Sequence, residues 1–324
     1  FLKLIKKYAD FGSYKTMKYI IGHISPDTDT ICSALVYEDY LKQKNIEAKA
    51  YALGHLNNET KFVFKKFNVK EPEHIHEIPK NSEIILLDHN EETQSINNIN
   101  DLDIVEIIDH HKVKLETDKP IRIHIEPLGS SCSIIAKKYF KSGREISPQN
   151  ASLLLAGIIS DTLHFRSPTT TDQDKELTEK LNKIAQIEDL EKFSLEMFNA
   201  KSDLGNIDTE ELIKLDYKVF DFAEGQKFGI GVMETTDKEF GLKRKDEIVK
   251  KLKEIKEKDN LQGIYFMIID ILEEEGYTLC ADEEDSKLFI KLFNTEDQNG
   301  VLFVDNVVSR KKQIMPIFQQ YFNK

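Results

Sequence analysis

An imidazole pair and a carboxylate end one apolar run, in Ile107-Ile108-Asp109-His110-His111. Three other apolar stretches end in a similar way. His23-x-x-x-Asp27-x-Asp29 follows Tyr19-Ile20-Ile21, and Asp88-His89-Asn90-Glu91 follows Ile84-Ile85-Leu86-Leu87. Asp161 follows Ala156-Gly157-Ile158-Ile159-Ser160, a run that a strand or a helix could carry. In open α/β sheets ligands bind at the carboxyl ends of the strands. Four such termini therefore point to one shared metal site. The ligand atoms are oxygen and imidazole nitrogen without thiolate, which favours Mn²⁺, Mg²⁺ or Co²⁺ over structural zinc. Four Asp and two His could hold two divalent ions about 4 Å apart, a pair that activates water and clamps a phosphoryl group.

Each motif also has a plainer reading. Asp27, Thr28, Asp29 and Thr30 are all good helix N-caps, and buried histidines are often hydrogen-bonded core residues. Two Asp-His strand ends about twenty residues apart are harder to explain that way. No competing nucleophile motif is present: the chain has no G-x-S-x-G, no P-loop and no strand-linked G-x-G-x-x-G. Positive charge suited to phosphate oxygens occurs in Ser309-Arg310-Lys311-Lys312-Gln313, where Arg offers a bidentate fork and Lys a point charge. Cys32 and Cys132 read as small buried packing residues near the site. His55, His74, His76 and His124 read as surface or structural.

The elements that must position these groups alternate. A strand over about 18–23 precedes a helix over 31–41. A strand over 48–53, a helix near 59–67 and the strands ending at Asp88 and Asp109 follow. Gly129-Ser130-Ser131 opens another helix, and Pro148 suits the first turn of the next. This alternation predicts a mainly parallel, three-layer α/β domain over residues 1–200, with 1–16 a possible extension before Met17. The polar, Gly-containing stretch 201–209 reads as a hinge linker. Beyond it, over 210–324, strands cluster at 228–233, 264–272, 277–280 and 288–293 around one helix at 243–258, whose apolar face is Ile248, Val249, Leu252 and Ile255. That pattern predicts a smaller α+β domain.

Composition narrows the function. The chain has 324 residues and a net charge of −12. It lacks a global basic footprint, which disfavours nucleic acid as a partner. Three cysteines are too few and too scattered for a disulfide framework, which fits a reducing, cytoplasmic setting. No run approaches the roughly 20 apolar residues of a membrane span.

Taken in order, His-x-x-Pro-Asp-Thr-Asp at 23–29, Asp-His-Asn-Glu at 88–91, Asp-His-His at 109–111, Ser-Asp-Thr-Leu-x-Phe-x-Ser-Pro-Thr at 160–169 and Ser-Arg-Lys-Lys-Gln at 309–313 resemble the DHH phosphoesterase superfamily. Within it they resemble the manganese-dependent (family II) inorganic pyrophosphatases. The resemblance implies a DHH catalytic domain followed by a DHHA2-type substrate domain, and hydrolysis of pyrophosphate to two orthophosphates. It implies a metal-bridging hydroxide as nucleophile in a site between the two domains. By resemblance His23 and Asp27 hold one metal and Asp29, His110 and Asp161 a second, with Asp88 shared. His111 faces the substrate, Asp109 and His89 orient ligands, and Lys218, Arg310 and Lys311 grip phosphate. Lys218 matches only through its Asp-x-Lys context. Two Mn²⁺ per chain are implied, with Co²⁺ or Mg²⁺ possible, and further Mg²⁺ arriving with pyrophosphate. A homodimer, paired through an edge strand of the first domain, is implied as well. The chain departs from the family pattern at Thr30 and Ser131-Cys132, outside the expected ligands. The interval from Leu53 to Asp88 leaves no room for an inserted regulatory module. Exopolyphosphatase of the same superfamily is the alternative activity. Cyclic-dinucleotide phosphodiesterases share Asp-His-His but carry a Gly-rich C-terminal motif absent here. An inactive scaffold relative would not need all six metal ligands.

Overall fold

A computed structural model of the protein describes residues 17–322 apart from Asp118. The possible extension at 1–16 lies outside the described residues. Six strands, β1 (Lys18–Ile21), β2 (Ala48–Ala52), β3 (Glu73–His74), β4 (Glu83–Leu87), β5 (Asp103–Asp109) and β6 (Arg122–Ile125), form one sheet in the order β3-β2-β1-β4-β5-β6. Every pairing is parallel. Parallel strands are covered on both faces and read as continuous apolar runs. Ile20, Ile21, Ile84 to Leu87, Ile107 and Ile108 supply those runs, and all are buried. The chain winds outward from β1 to β3 and then from β4 to β6. The order therefore reverses between β1 and β4, the point where such sheets bind ligands. His23 and Asp88 follow these two strands.

Local sequence sets the helices that converge there. Helix α1 (Thr28–Lys42) is capped by Asp27, α2 (Asn58–Phe67) by Asn57 and α3 (Ser131–Ser142) by Ser130. α1 packs on α3, α2, β1, β2 and β4. The apolar run before Asp161 belongs to helix α4 (Pro148–Thr162), the helical of the two readings it allowed. Residues 151–160 are all buried, and an apolar run covered on every side has no periodicity to separate helix from strand. Helix α5 (Asp172–Ala185) starts with a reciprocal capping box between Thr171 and Asp174. Asp174 also accepts from Gly129 N at 2.9 Å and Ser133 Oγ at 2.5 Å, which pins the turn that opens α3.

The chain divides into two compact units. The first runs through Asp161 and takes in Thr170–Leu190; the second holds Thr162–Thr169 and the chain from Glu191 onward. The stretch 201–209, read as the linker, lies inside the second unit. It ends α6 (Leu190–Ser202) and supplies Asp208, the cap of α7 (Thr209–Lys214).

In the second unit β7 (Tyr217–Asp221), β8 (Lys227–Thr235), β9 (Gly263–Asp270), β10 (Glu275–Cys280) and β11 (Leu302–Val304) lie in the order β11-β10-β9-β8-β7. The β8–β9 pairing is parallel and the others antiparallel. After the short α8 (Lys238–Leu242), helix α9 (Lys245–Lys258) buries Ile248, Leu252 and Ile255 against Ile264, Phe266 and Ile268 of β9. Residues 288–293, expected as a strand, end helix α10 (Glu283–Phe293) instead. Asp282 caps its start, and Phe289 and Phe293 stack at 4.3 Å one turn apart. The cap upstream outweighed the β-like composition of the apolar residues.

Replacing Asp174 with Ala removes acceptors for four donors in a site with no access to water. Equilibrium urea unfolding is expected to show a loss of about 2–4 kcal/mol. Glu179→Ala, exposed on the same helix, should change it by under about 0.5 kcal/mol.

Candidate metal centre

Asp88 sits where β4 leaves the sheet. Its backbone lies in the left-handed region at φ 62, a conformation that Asp and Asn tolerate better than most side chains. Its N–H donates to Ile108 O at 2.9 Å, which locks the turn to β5. The carboxylate is buried and each oxygen has its own hydroxyl donor: Thr30 Oγ1 donates to Oδ2 at 2.5 Å and Ser131 Oγ to Oδ1 at 2.9 Å. The same oxygens face different histidines. Oδ2 is 3.6 Å from His23 Nε2, and Oδ1 is 3.4 Å from His110 Nε2.

Two ligand-competent trios lie side by side here, and Asp88 belongs to the first. His23, Asp27 and Asp88 form one, and Asp29, His110 and Asp161 the other, each with its donor atoms within 4.8 Å of one another. A third grouping, Asp88 with His110 and His111, overlaps both. The six residues that the sequence marked as metal ligands are thus brought together in the first unit. Asp27 serves two readings at once. Its Oδ1 caps α1 by accepting from Thr30 N at 2.9 Å, while Oδ2 lies 3.5 Å from His23 Nε2. Asp29 is clamped by the start of α3, accepting from Ser131 N at 2.6 Å and Cys132 N at 2.9 Å. The positive end of a helix suits a carboxylate there.

The histidine hydrogen bonds decide which nitrogens are available. His110 Nδ1 lies 3.0 Å from Leu128 O, so in the neutral ring it carries the hydrogen and the lone pair falls on Nε2. That Nε2 is buried and makes no hydrogen bond, with Asp88 and Asp161 oxygens each at 3.4 Å. A buried imidazole nitrogen without a donor, facing two carboxylates, fits a divalent cation. His111 is arranged similarly: Asp109 Oδ1 takes its Nδ1 hydrogen at 2.9 Å, and the ring is 40% exposed. Asp109 also accepts from His110 N, His111 N and Asn90 Nδ2, so one buried carboxylate shapes the whole Asp-His-His turn. His89 joins no trio; its nitrogens contact Leu87 O at 2.9 Å and Ser95 Oγ at 3.1 Å.

Charge crowding is the electrostatic signature. Burial, then the charge of Asp88, raises Asp29 to about 8. Burial opposes charge on His23, but Asp27 and Asp88 outweigh it and raise that ring to about 10. His110 rises to about 9 against burial, driven by Asp88 and Asp29. Burial would also raise Asp88, yet the imidazoles of His110 and His23 that face it, and the charge they carry when protonated, hold it well below the usual carboxylate range. On His89 burial outweighs the bond to Leu87 O and the charges of Asp109 and Asp88, and the ring falls to about 4. Bound cations are the usual means of stabilising so many adjacent carboxylates.

Packing leaves little slack. A Cβ on Gly157 of α4 would lie 2.4 Å from Cys132 Sγ and 2.9 Å from Asp29 Oδ1. Cys32 and Cys132 are fully buried beside the centre. Thr30 and Ser131, where the sequence departs from the family pattern, touch Asp88 directly, closer to the centre than their expected place outside the ligand set suggested.

The basic residues lie in the second unit. Ser309 caps a π-helical turn at Arg310–Ile314, and Gln313 Oε1 accepts from Val308 N and Ser309 N. Arg310 donates to Asp216 O, Asp216 Oδ1 and Ile230 O at 2.6–3.0 Å, which anchors it to β7 and β8. Lys218 pairs with Ile230 in the β7–β8 register, so it shares this corner with Arg310. Lys218 and Lys311 are exposed. Thr30, Ser131 and Glu59 carried no distinguishing signal as site residues, because hydroxyls and a helix-start Glu have many ordinary uses.

Fold and site together define a DHH–DHHA2 protein. The family model described as DHH family, N-terminal domain, matches residues 18–158, and that of the DHHA2 domain matches 195–321. The manganese-dependent inorganic pyrophosphatase of Methanocaldococcus jannaschii is 41% identical over 315 residues, covering 95% of this chain and 100% of the relative. That of Methanothrix thermoacetophila is 38% identical, covering 94% and 98%. A Methanococcus jannaschii crystal structure assigned to the family II inorganic pyrophosphatases superposes with a TM-score of 0.82 at 41% identity, over 95% of this chain and all of that one. The chain belongs to the manganese-dependent, family II inorganic pyrophosphatases.

Replacing Asp88 with Ala takes an oxygen from the first trio and the oxygen that faces His110 Nε2 of the second at 3.4 Å. Calorimetric titration of the metal-free variant is expected to show Mn²⁺ affinity down at least about 100-fold at both sites. Retention of one unchanged site would remove Asp88 from the shared position.

Proposed function

We propose that this protein hydrolyses inorganic pyrophosphate to two orthophosphates. The observation that carries the proposal is the pair of carboxylate–imidazole trios, one containing Asp88 and the other presenting His110 Nε2 to Asp88 Oδ1 at 3.4 Å, in a chain of this family. Its resident cofactor is then a pair of divalent ions, Mn²⁺ foremost, held by His23, Asp27 and Asp88 and by Asp29, His110, Asp161 and Asp88. When bound, the pair supplies Lewis-acid charge to phosphoryl oxygens and makes water a nucleophile at neutral pH.

The chain's own groups do the rest. Asp88, fixed by Thr30 and Ser131, sets the spacing between the trios. His111, held through Nδ1 by Asp109, presents Nε2 to a phosphate oxygen or passes a proton to the leaving group. Water adds to one phosphorus, the bond from that phosphorus to the bridging oxygen breaks, and the bridging oxygen leaves with the second phosphate. Arg310, Lys311 and Lys218 grip the phosphates and offset their charge, together with Mg²⁺ carried by the substrate. Arg310 suits this task because its anchored guanidinium loses little freedom on binding. We propose a homodimer as the working form. Among the described residues no helix is long and apolar enough to cross a membrane.

The test is phosphate release from pyrophosphate and from tripolyphosphate after incubation with Mn²⁺ or with Mg²⁺ alone. Mn²⁺-enhanced release from pyrophosphate, with little from tripolyphosphate, is expected. Preference for the longer chain would move the activity to exopolyphosphatase. Arg310→Ala is expected to raise KM about tenfold or more, the size of a lost charged hydrogen bond, with bound metal unchanged. An unchanged KM would remove Arg310 from the phosphate grip.

A further inference from the structure

Glu59 is a buried carboxylate outside every motif above. It lies in the first turn of α2, with no measurable exposure. A charge so placed is costly unless hydrogen bonds compensate it. Its Oε2 accepts two of them, from Thr28 Oγ1 at 2.7 Å and from Ser160 Oγ at 2.7 Å. Both hydroxyl residues are buried too. Thr28 stands between Asp27 and Asp29, and Ser160 immediately precedes Asp161. One oxygen atom therefore ties the first turn of α1 to the last turn of α4.

The two trios depend on that tie unequally. His23 and Asp88 of the first trio follow β1 and β4, neighbours whose separation is fixed by sheet hydrogen bonds. Asp29 and Asp161 of the second trio come from two helices, α1 and α4, and no strand pairing sets the distance between them. We propose that Glu59 is a positioning residue for the second metal site: it holds Asp29 and Asp161 at coordinating distance through Thr28 and Ser160. The proposal rests on the two-metal reading of the centre. Asn57, which caps α2 and accepts from Thr60 N at 2.8 Å, fixes the turn that carries Glu59.

The experiment is calorimetric Mn²⁺ titration of the metal-free full chain, wild type beside Glu59→Ala, Glu59→Gln, Ser160→Ala and Val63→Ala. Val63 is buried in the same helix and reports a plain packing loss. Wild type is expected to take up two Mn²⁺. Glu59→Ala should keep one site at wild-type affinity and weaken the other about 10–100-fold, the usual effect of losing a group that orients a ligand. Glu59→Gln should restore most of that affinity, because the amide oxygen still accepts both hydroxyls. Ser160→Ala, which cuts half the tie and is the readout should Glu59→Ala fail to fold, should weaken the same site by a smaller factor. Val63→Ala should lower thermal stability and leave both sites intact. Two unchanged sites in Glu59→Ala, or in Ser160→Ala where Glu59→Ala does not fold, would overturn the proposal, as would equal weakening of both sites shared by Val63→Ala. Fewer than two Mn²⁺ in the wild type would overturn the two-metal reading itself, and this proposal with it.

Discussion

The centre depends on the placement of one carboxylate. Asp88 leaves β4 in a left-handed turn, at the edge of the point where the sheet reverses its order. There its two oxygens can address two different histidines. An extended residue would continue the direction of the strand and carry the carboxylate away from one of them. The turn is stabilised by the bond from Asp88 N to Ile108 O and by the two hydroxyls on the carboxylate. Sheet, turn and hydroxyls thus fix a carboxylate whose two oxygens face His23 and His110.

Around that residue the protein uses backbone amides and hydroxyls, instead of lysine or arginine, to orient carboxylates. Asp29 is clamped by two amides of α3, Asp109 by two amides, His111 and Asn90, and Glu59 by two hydroxyls. Such neutral donors fix geometry and leave net negative charge in the cluster. Divalent cations can balance it. Lysine and arginine at the same positions would compete with the ions for the carboxylates. The basic groups of the signature at 309–313 are instead built into a separate turn whose serine and glutamine are structural and whose arginine is anchored in advance.

Much of this was legible in the sequence. The strand ends at His23, Asp88 and Asp109 were readable because parallel strands are apolar along their length and stop at polar residues. The helix at 245–258 was readable because its apolar positions recur at helical spacing. The run before Asp161 was ambiguous because a fully buried helix shows no polar face. The segment 288–293 was misread because its bulky apolar residues resemble a strand, and the decisive signal, the Asp282 cap, lies six residues upstream. The ligand-competent residues that cluster in the first unit were legible from residue type. The groups that orient them were not, because Thr30, Ser131 and Glu59 gain their meaning only from contacts distant in sequence.

The central claim is that Asp88 brings two metal ions into one exchange-coupled pair. Electron paramagnetic resonance of the protein loaded with two equivalents of Mn²⁺ tests it most directly. The account predicts a spin-coupled multiline spectrum that weakens on cooling as the pair settles into its diamagnetic ground state. The six-line spectrum of isolated Mn²⁺ ions, at full stoichiometry and at all temperatures, would contradict it.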